Sequence, residues 1–124
     1  MIKVKILKKE NQIYAFELSG HAEYDEHGKD IICSAVSMLV INTLNSINHF
    51  TDDHIILEAN NEKTGHIRFR LDIEEKPYSS ETDILLKSLE FGLQSAREHY
   101  GKKYIDIEEV QWNVIKIKSS VFCS

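Results

Sequence analysis

Cys33 and His21 are the residues whose chemistry stands out. A thiolate attacks a carbonyl carbon where a thiol hardly does, and an imidazole within hydrogen-bond reach takes the thiol proton and later gives it to a leaving amine. Between them runs a short polar segment bracketed by Gly20 and Gly28, with Glu23, Asp25 and Glu26 making it acidic. Those glycines would serve as hinges and admit a substrate backbone. Asp30 is a candidate N-cap for a helix that opens the apolar run from Ile31, which would place Cys33 in a first turn facing open backbone N–H groups. Ser37 follows Cys33 by one turn and shares its face.

Other readings of the same residues stay open. A single cysteine in an apolar helix is commonly a small buried hydrophobe. Cys33 with His21 and His27 would offer metal ligands, but no CxxC or HxxxH pair supports a metal site, and none is assigned. A thiol oxidoreductase would need a resolving cysteine nearby, and Cys123 is remote. No cofactor is called for.

The pattern Gly20-His21-Ala22, then Gly28-Lys29-Asp30-Ile31-Ile32-Cys33, then Ser37 resembles the signature of the ribosomal-processing cysteine proteases, the Prp family. Chain length and element order fit that family over roughly residues 1–107. The resemblance implies that Cys33 is the nucleophile, His21 its base, and Asp30 and Ser37 supporting polar positions. It also implies an α+β homodimer that removes a short N-terminal extension from large-subunit ribosomal protein twenty-seven, after a hydrophobic, aromatic-containing motif. A non-catalytic, ribosome-associated binding module on the same scaffold is the alternative.

The elements that must position these residues are legible in the periodicity. Ile2–Leu7 alternates as a strand with Ile2, Val4 and Ile6 inward; a polar break over Lys9–Gln12 leads to a second strand over Ile13–Ser19, which delivers His21. From Cys33 to Asn48 the chain is apolar almost all round, with Val36 and Leu39 on one side and Met38 and Ile41 on another, which predicts a central helix lying on the sheet and covered again by a second helix or a second subunit. Strands are predicted over His54–Ala59 and Gly65–Leu71. A linker at Glu74–Ser80 precedes a helix from about Glu81 to Tyr100, capped by Ser79 or Ser80 and closed by Gly101. Lys103–Ile107 reads as a last strand. The fold class is α+β, a small mixed or antiparallel sheet packed with two helices. Residues 1–107 form one domain and Glu108–Ser124 an extension that adds a strand or covers the dimer surface.

Composition sets bounds. Of 124 residues, 42% are hydrophobic and 28% charged, ordinary for a soluble globular domain. A net charge of -5 argues against nucleic acid as a direct partner and suits a basic protein substrate. Two distant cysteines suggest no disulfide framework, which favours the cytoplasm. No signal peptide is seen, and no apolar run approaches the ~20 residues that would engage a membrane.

Overall fold

The computed structural model describes residues 1–20, 27–61, 66–73 and 76–111, with backbone alone for 27–30 and 59–61. Seven elements follow one another: β1 (Ile2–Lys9), β2 (Gln12–Ser19), α1 (His27–Phe50), β3 (Ile55–Asn61), β4 (His66–Leu71), α2 (Ser80–Tyr100) and β5 (Ile105–Gln111). The strands make a five-stranded mixed sheet in the order β3-β4-β2-β1-β5. The α+β class expected from the periodicity is the class observed.

Local chemistry explains the elements. β1 and β2 form an antiparallel hairpin closed at Glu10 and Asn11, which both adopt positive φ, the backbone that matches strand twist in a tight hairpin. Ser79 caps α2, its hydroxyl accepting from the Thr82 N–H, and the N–H of Gly101 closes the other end on the Arg97 carbonyl. β5 lies parallel to β1 and begins beside Ile2. It runs four residues beyond the expected end at Ile107, because Lys5 to Lys8 offer it a continuing ladder.

The two faces of the sheet differ. Ile2, Val4 and Ile6 of β1, Phe16 and Leu18 of β2, and Phe69 and Leu71 of β4 point toward the helices and form the core with Ile32, Val36, Val40 and Ile47 of α1 and Leu86, Leu89 and Leu93 of α2. Phe16 and Phe69 stack at 5.4 Å. No helix covers the other face among the described residues. There Glu17 lies 3.6 Å from Arg68 and Glu58 lies 3.5 Å from Arg70. Lys3 and Lys5 of β1 stand in register with Asp106 and Glu108 of β5.

Three expectations meet the structure here. α1 begins at His27, so Asp30 and Gly28 sit inside the helix rather than as cap and hinge. Met38 is 61% exposed and Ile41 47% exposed, so within the chain the further side of α1 has no covering layer among the described residues, and of the two covers expected there a second helix is not the one that shields them. Finally, Ile31–Phe50 is long and apolar enough to cross a bilayer by length and composition, contrary to the expectation from the sequence. Its Ile32, Val36, Val40 and Ile47 are committed to the core.

Candidate active site

Cys33 is the seventh residue of α1, counting from His27. In a helix its N–H bonds the carbonyl four residues back, so it is not an open donor. The open N–H groups belong to the first turn. The dipole's influence fades within that turn, so the first-turn activation expected from the sequence is not available to the sulfur.

The side chain of Cys33 is half-buried, a free thiol packed against the rim of the core. Its position on the helix is fixed by two packing contacts. Val36, Val40 and Ile47 mark the side of α1 that meets the sheet. Leu39 lies against Gly92 of α2 and marks the side that meets the second helix. At about 100° per residue, Cys33 falls on the opposite side of the buried stripe from Leu39. It therefore sits on the flank of α1 that α2 leaves open. Ser37 is exposed on that same flank, as the sequence spacing requires.

Topology says what this flank overlooks. α2 joins β4 to β5, approaches β2 and β5, and is tied to β1 where Lys8 meets Glu90 at 3.0 Å. α1 joins β2 to β3, so it covers the other half of the sheet and turns its free flank toward the edge strand β3. Cys33 and Ser37 thus border an edge rather than the middle of the molecule.

His21 lies outside the described residues, as do Trp112 and Cys123. The metal reading depends on His21 and on the side chain of His27, which are also outside them. Gly20 is described and differs from a free hinge. Its φ is +115°, and a Cβ there would meet the carbonyl oxygen of Met1 and lie 3.0 Å from the Cα of Ile2. It is the point where the chain leaving β2 passes tightly over the start of β1, immediately before His21.

Sequence reasoning missed a polar cluster at the far end of α1. Asp53 accepts hydrogen bonds from the backbone and hydroxyl of Ser79 and from the Thr82 hydroxyl. Thr51 caps its own helix by donating to the Ile47 carbonyl at 2.7 Å. The signal was present as Ser, Thr and Asp gathered around both helix ends. The cluster joins the two helices at the end remote from Cys33 and holds the flank in place.

Comparison with known proteins follows the same lines. The family model described as Cysteine protease Prp matches residues 1–106. Ribosomal processing cysteine protease Prp of Bacillus subtilis is 35% identical over 48 residues, 38% of this chain and 43% of that protein. The Staphylococcus aureus protein of the same name is 25% identical over 103 residues, 82% of this chain and 93% of the relative. Among solved structures, SMU.848 from Streptococcus mutans superposes with a TM-score of 0.80 at 24% identity, covering 90% of this chain and 96% of that one. The S. aureus ribosomal processing protease Prp in complex with a substrate peptide gives 0.76 at 23% identity, covering 88% and 99%.

Proposed function

The chain belongs to the Prp family of cysteine proteases, and on that premise we propose that it is an endopeptidase in which Cys33 is the nucleophile and His21 the base. The observation that carries this reading is the placement of Cys33, a free, half-buried thiol on the flank of α1 that α2 leaves open, toward the strand that ends the sheet among the described residues. A peptide can approach there without displacing the core. His21 follows directly on Gly20, whose close approach to Met1 fixes where the segment leaves the sheet.

The reaction proceeds by acyl transfer. His21 takes the thiol proton, and the Cys33 sulfur adds to the scissile carbonyl. The tetrahedral adduct collapses as the imidazolium returns the proton to the departing amine. Water, deprotonated by the same imidazole, then attacks the thioester, releases the carboxylate product and restores the thiol. Ser37, one turn along α1 from Cys33, is assigned a hydrogen bond to the thiolate or the imidazole, a role that the spacing on the helix supports. Asp30, whose backbone lies within α1, is assigned a supporting polar role on the family resemblance.

The substrate on this reading is the N-terminal extension of large-subunit ribosomal protein twenty-seven, and the setting is the cytoplasm. The relatives' names, which specify ribosomal processing, support it. The protein acts as a homodimer, for which Ile31, Met38 and Phe91 offer exposed apolar surface on the helical layer. A ribosome-associated binding module is the competing reading, favoured by the Cys33 N–H being engaged within its helix.

Incubating the full chain with a synthetic peptide of that extension, read by mass spectrometry, decides between them. Cleavage by the wild type and none by Cys33→Ala is the expected result. An intact peptide after prolonged incubation with the wild type removes the substrate assignment. Equal cleavage by Cys33→Ala removes Cys33 as the nucleophile.

A further inference from the structure

Gly20 rests on a seat that is held from elsewhere. The β1–β2 ladder has its last pair at Lys3 and Ser19, and past it the chain leaving β2 crosses the main chain of Met1 and Ile2. At φ +115° Gly20 lies so close that a Cβ would meet the Met1 carbonyl oxygen and stand 3.0 Å from the Ile2 Cα. The contact is main chain against main chain, so neither partner yields by changing a rotamer.

Ile2 is pinned from its other side. Its N–H donates to the Tyr104 carbonyl at 2.8 Å, its side chain is buried, and it stands in parallel register with Ile105. Tyr104 closes the turn that follows α2. Its N–H donates to the Gly101 carbonyl at 3.1 Å, and the Gly101 N–H donates to the Arg97 carbonyl at 2.9 Å. The Tyr104 ring packs against the core, with Lys103 Nζ 4.9 Å from its centroid. Ring and backbone together hold the turn, and the turn directs one carbonyl at the start of β1.

The turn also stands at the end of the molecule where the chemistry is placed. Asp53 ties the segment after α1 to the start of α2 through Ser79 and Thr82, and Leu39 meets Gly92 midway, so the helices run antiparallel. The C-terminal end of α2, with Gly101 beyond it, therefore lies at the end of the helical layer where α1 begins and carries Cys33.

We propose that the turn Gly101–Tyr104 positions the base of the protease: Tyr104 holds Ile2, Ile2 and Met1 seat Gly20, and Gly20 sets where His21 stands relative to the Cys33 sulfur. Nucleophile and base come from different elements, Cys33 from α1 and His21 from the exit of β2, so their separation depends on how that exit is held. Consecutive Cα atoms are about 3.8 Å apart, so a displacement of Gly20 passes almost undiminished to the next residue. Misplacing a reacting group by about 1 Å costs up to about a hundredfold in rate. Tyr104 is a positioning residue, acting through the main chain of β1.

The proposal rests on the endopeptidase reading above, and the experiment has a separate readout for each. The full chain and its variants Tyr104→Ala, Tyr104→Phe and Asp53→Asn are compared at a temperature where circular dichroism shows them folded. Cleavage of the ribosomal-protein peptide is measured, and alkylation by iodoacetamide at pH 7 is followed on the Cys33-containing fragment by mass spectrometry. Tyr104→Ala lowers kcat about tenfold with KM nearly unchanged. It also slows alkylation several-fold, because the imidazole no longer draws the thiol proton. Tyr104→Phe keeps the ring and restores both. Asp53→Asn loosens the opposite end of the helical layer and leaves both at wild-type values, which separates positioning from a general loss of stability. A loss in Tyr104→Ala no greater than in Asp53→Asn, or one confined to KM, overturns the proposal and leaves the protease standing. If Tyr104→Ala is unfolded, Tyr104→Leu takes its place under the same criteria. If the wild type leaves the peptide intact, alkylation alone decides. A wild-type Cys33 that reacts no faster than a free thiol overturns the protease reading and the proposal with it.

Discussion

Asp53 Oδ2 accepts hydrogen bonds from both the backbone N–H and the hydroxyl of Ser79, at 3.0 and 2.6 Å. The residue that caps α2 is thereby held by the segment that leaves α1, and Thr82 joins the same oxygen. Burial pushes the Asp53 carboxyl up, but the hydrogen bonds from Ser79 and Thr82 outweigh it, with Lys76 adding to them, and hold it below the ordinary carboxylate value. A depressed folded-state value contributes stability that is present above about pH 3.9 and is lost as pH falls through the folded value. Asp53→Asn is therefore expected to cost about 1–2 kcal/mol at pH 7. In thermal unfolding the gap between variant and wild type narrows below pH 4.

Gly20→Ala tests the exit from β2. A side chain at φ +115° with the Met1 carbonyl in its path forces the first strand or the exit to shift. The expected loss is about 1–3 kcal/mol in urea unfolding. Because His21 is the next residue, cleavage falls further than the lost stability accounts for when both are measured at a temperature where the variant is fully folded.

The charged face of the sheet makes a salt-dependent prediction. Glu17 lies 3.6 Å from both Arg68 and His66 and is in register with Lys5. Glu17→Lys places a cation among cations on adjacent strands, with an expected cost of about 1 kcal/mol at low ionic strength. At 0.5 M sodium chloride, where the Debye length is well below 8 Å, most of that cost is screened. Equal destabilisation at both salt concentrations would show that packing, not charge, is at stake.

For catalysis, Ser37→Ala is expected to retain cleavage at a rate reduced several-fold, as fits a hydrogen-bonding neighbour, whereas His21→Ala loses at least about a hundredfold, the usual contribution of a positioned proton-transfer group. Cys123→Ala cleaves at the wild-type rate. Single-turnover measurements with the ribosomal-protein peptide check all three.

How far the sequence spoke can be judged residue by residue. Alternation in Ile2, Val4 and Ile6, the three- and four-residue steps of Leu86, Leu89 and Leu93, and the Ser79 and Gly101 caps were legible because each is a local pattern. The start of α1 was not. An acidic, glycine-containing segment ending at Asp30 reads as a loop with a cap, whereas the helix begins at His27. Met38 and Ile41 were expected to be covered, but hydrophobicity does not say by what, and within the chain they stand exposed. The pairing of Asp53 with Ser79 spans 26 positions and left only its residue types as a trace.

β1 lies between β2 and β5, with Ile2 opposite Ile105 in parallel register. Among the described strands, the earliest in sequence thus acquires its second neighbour from the latest. A chain emerging from the ribosome can close its N-terminal hairpin at once but must carry an open β1 edge until residues 105–111 have left the exit tunnel, and parallel pairing over so long a separation is slow to form. Truncation within β5 therefore exposes a central strand, not a dispensable end, and leaves a nascent chain with a template for unwanted pairing.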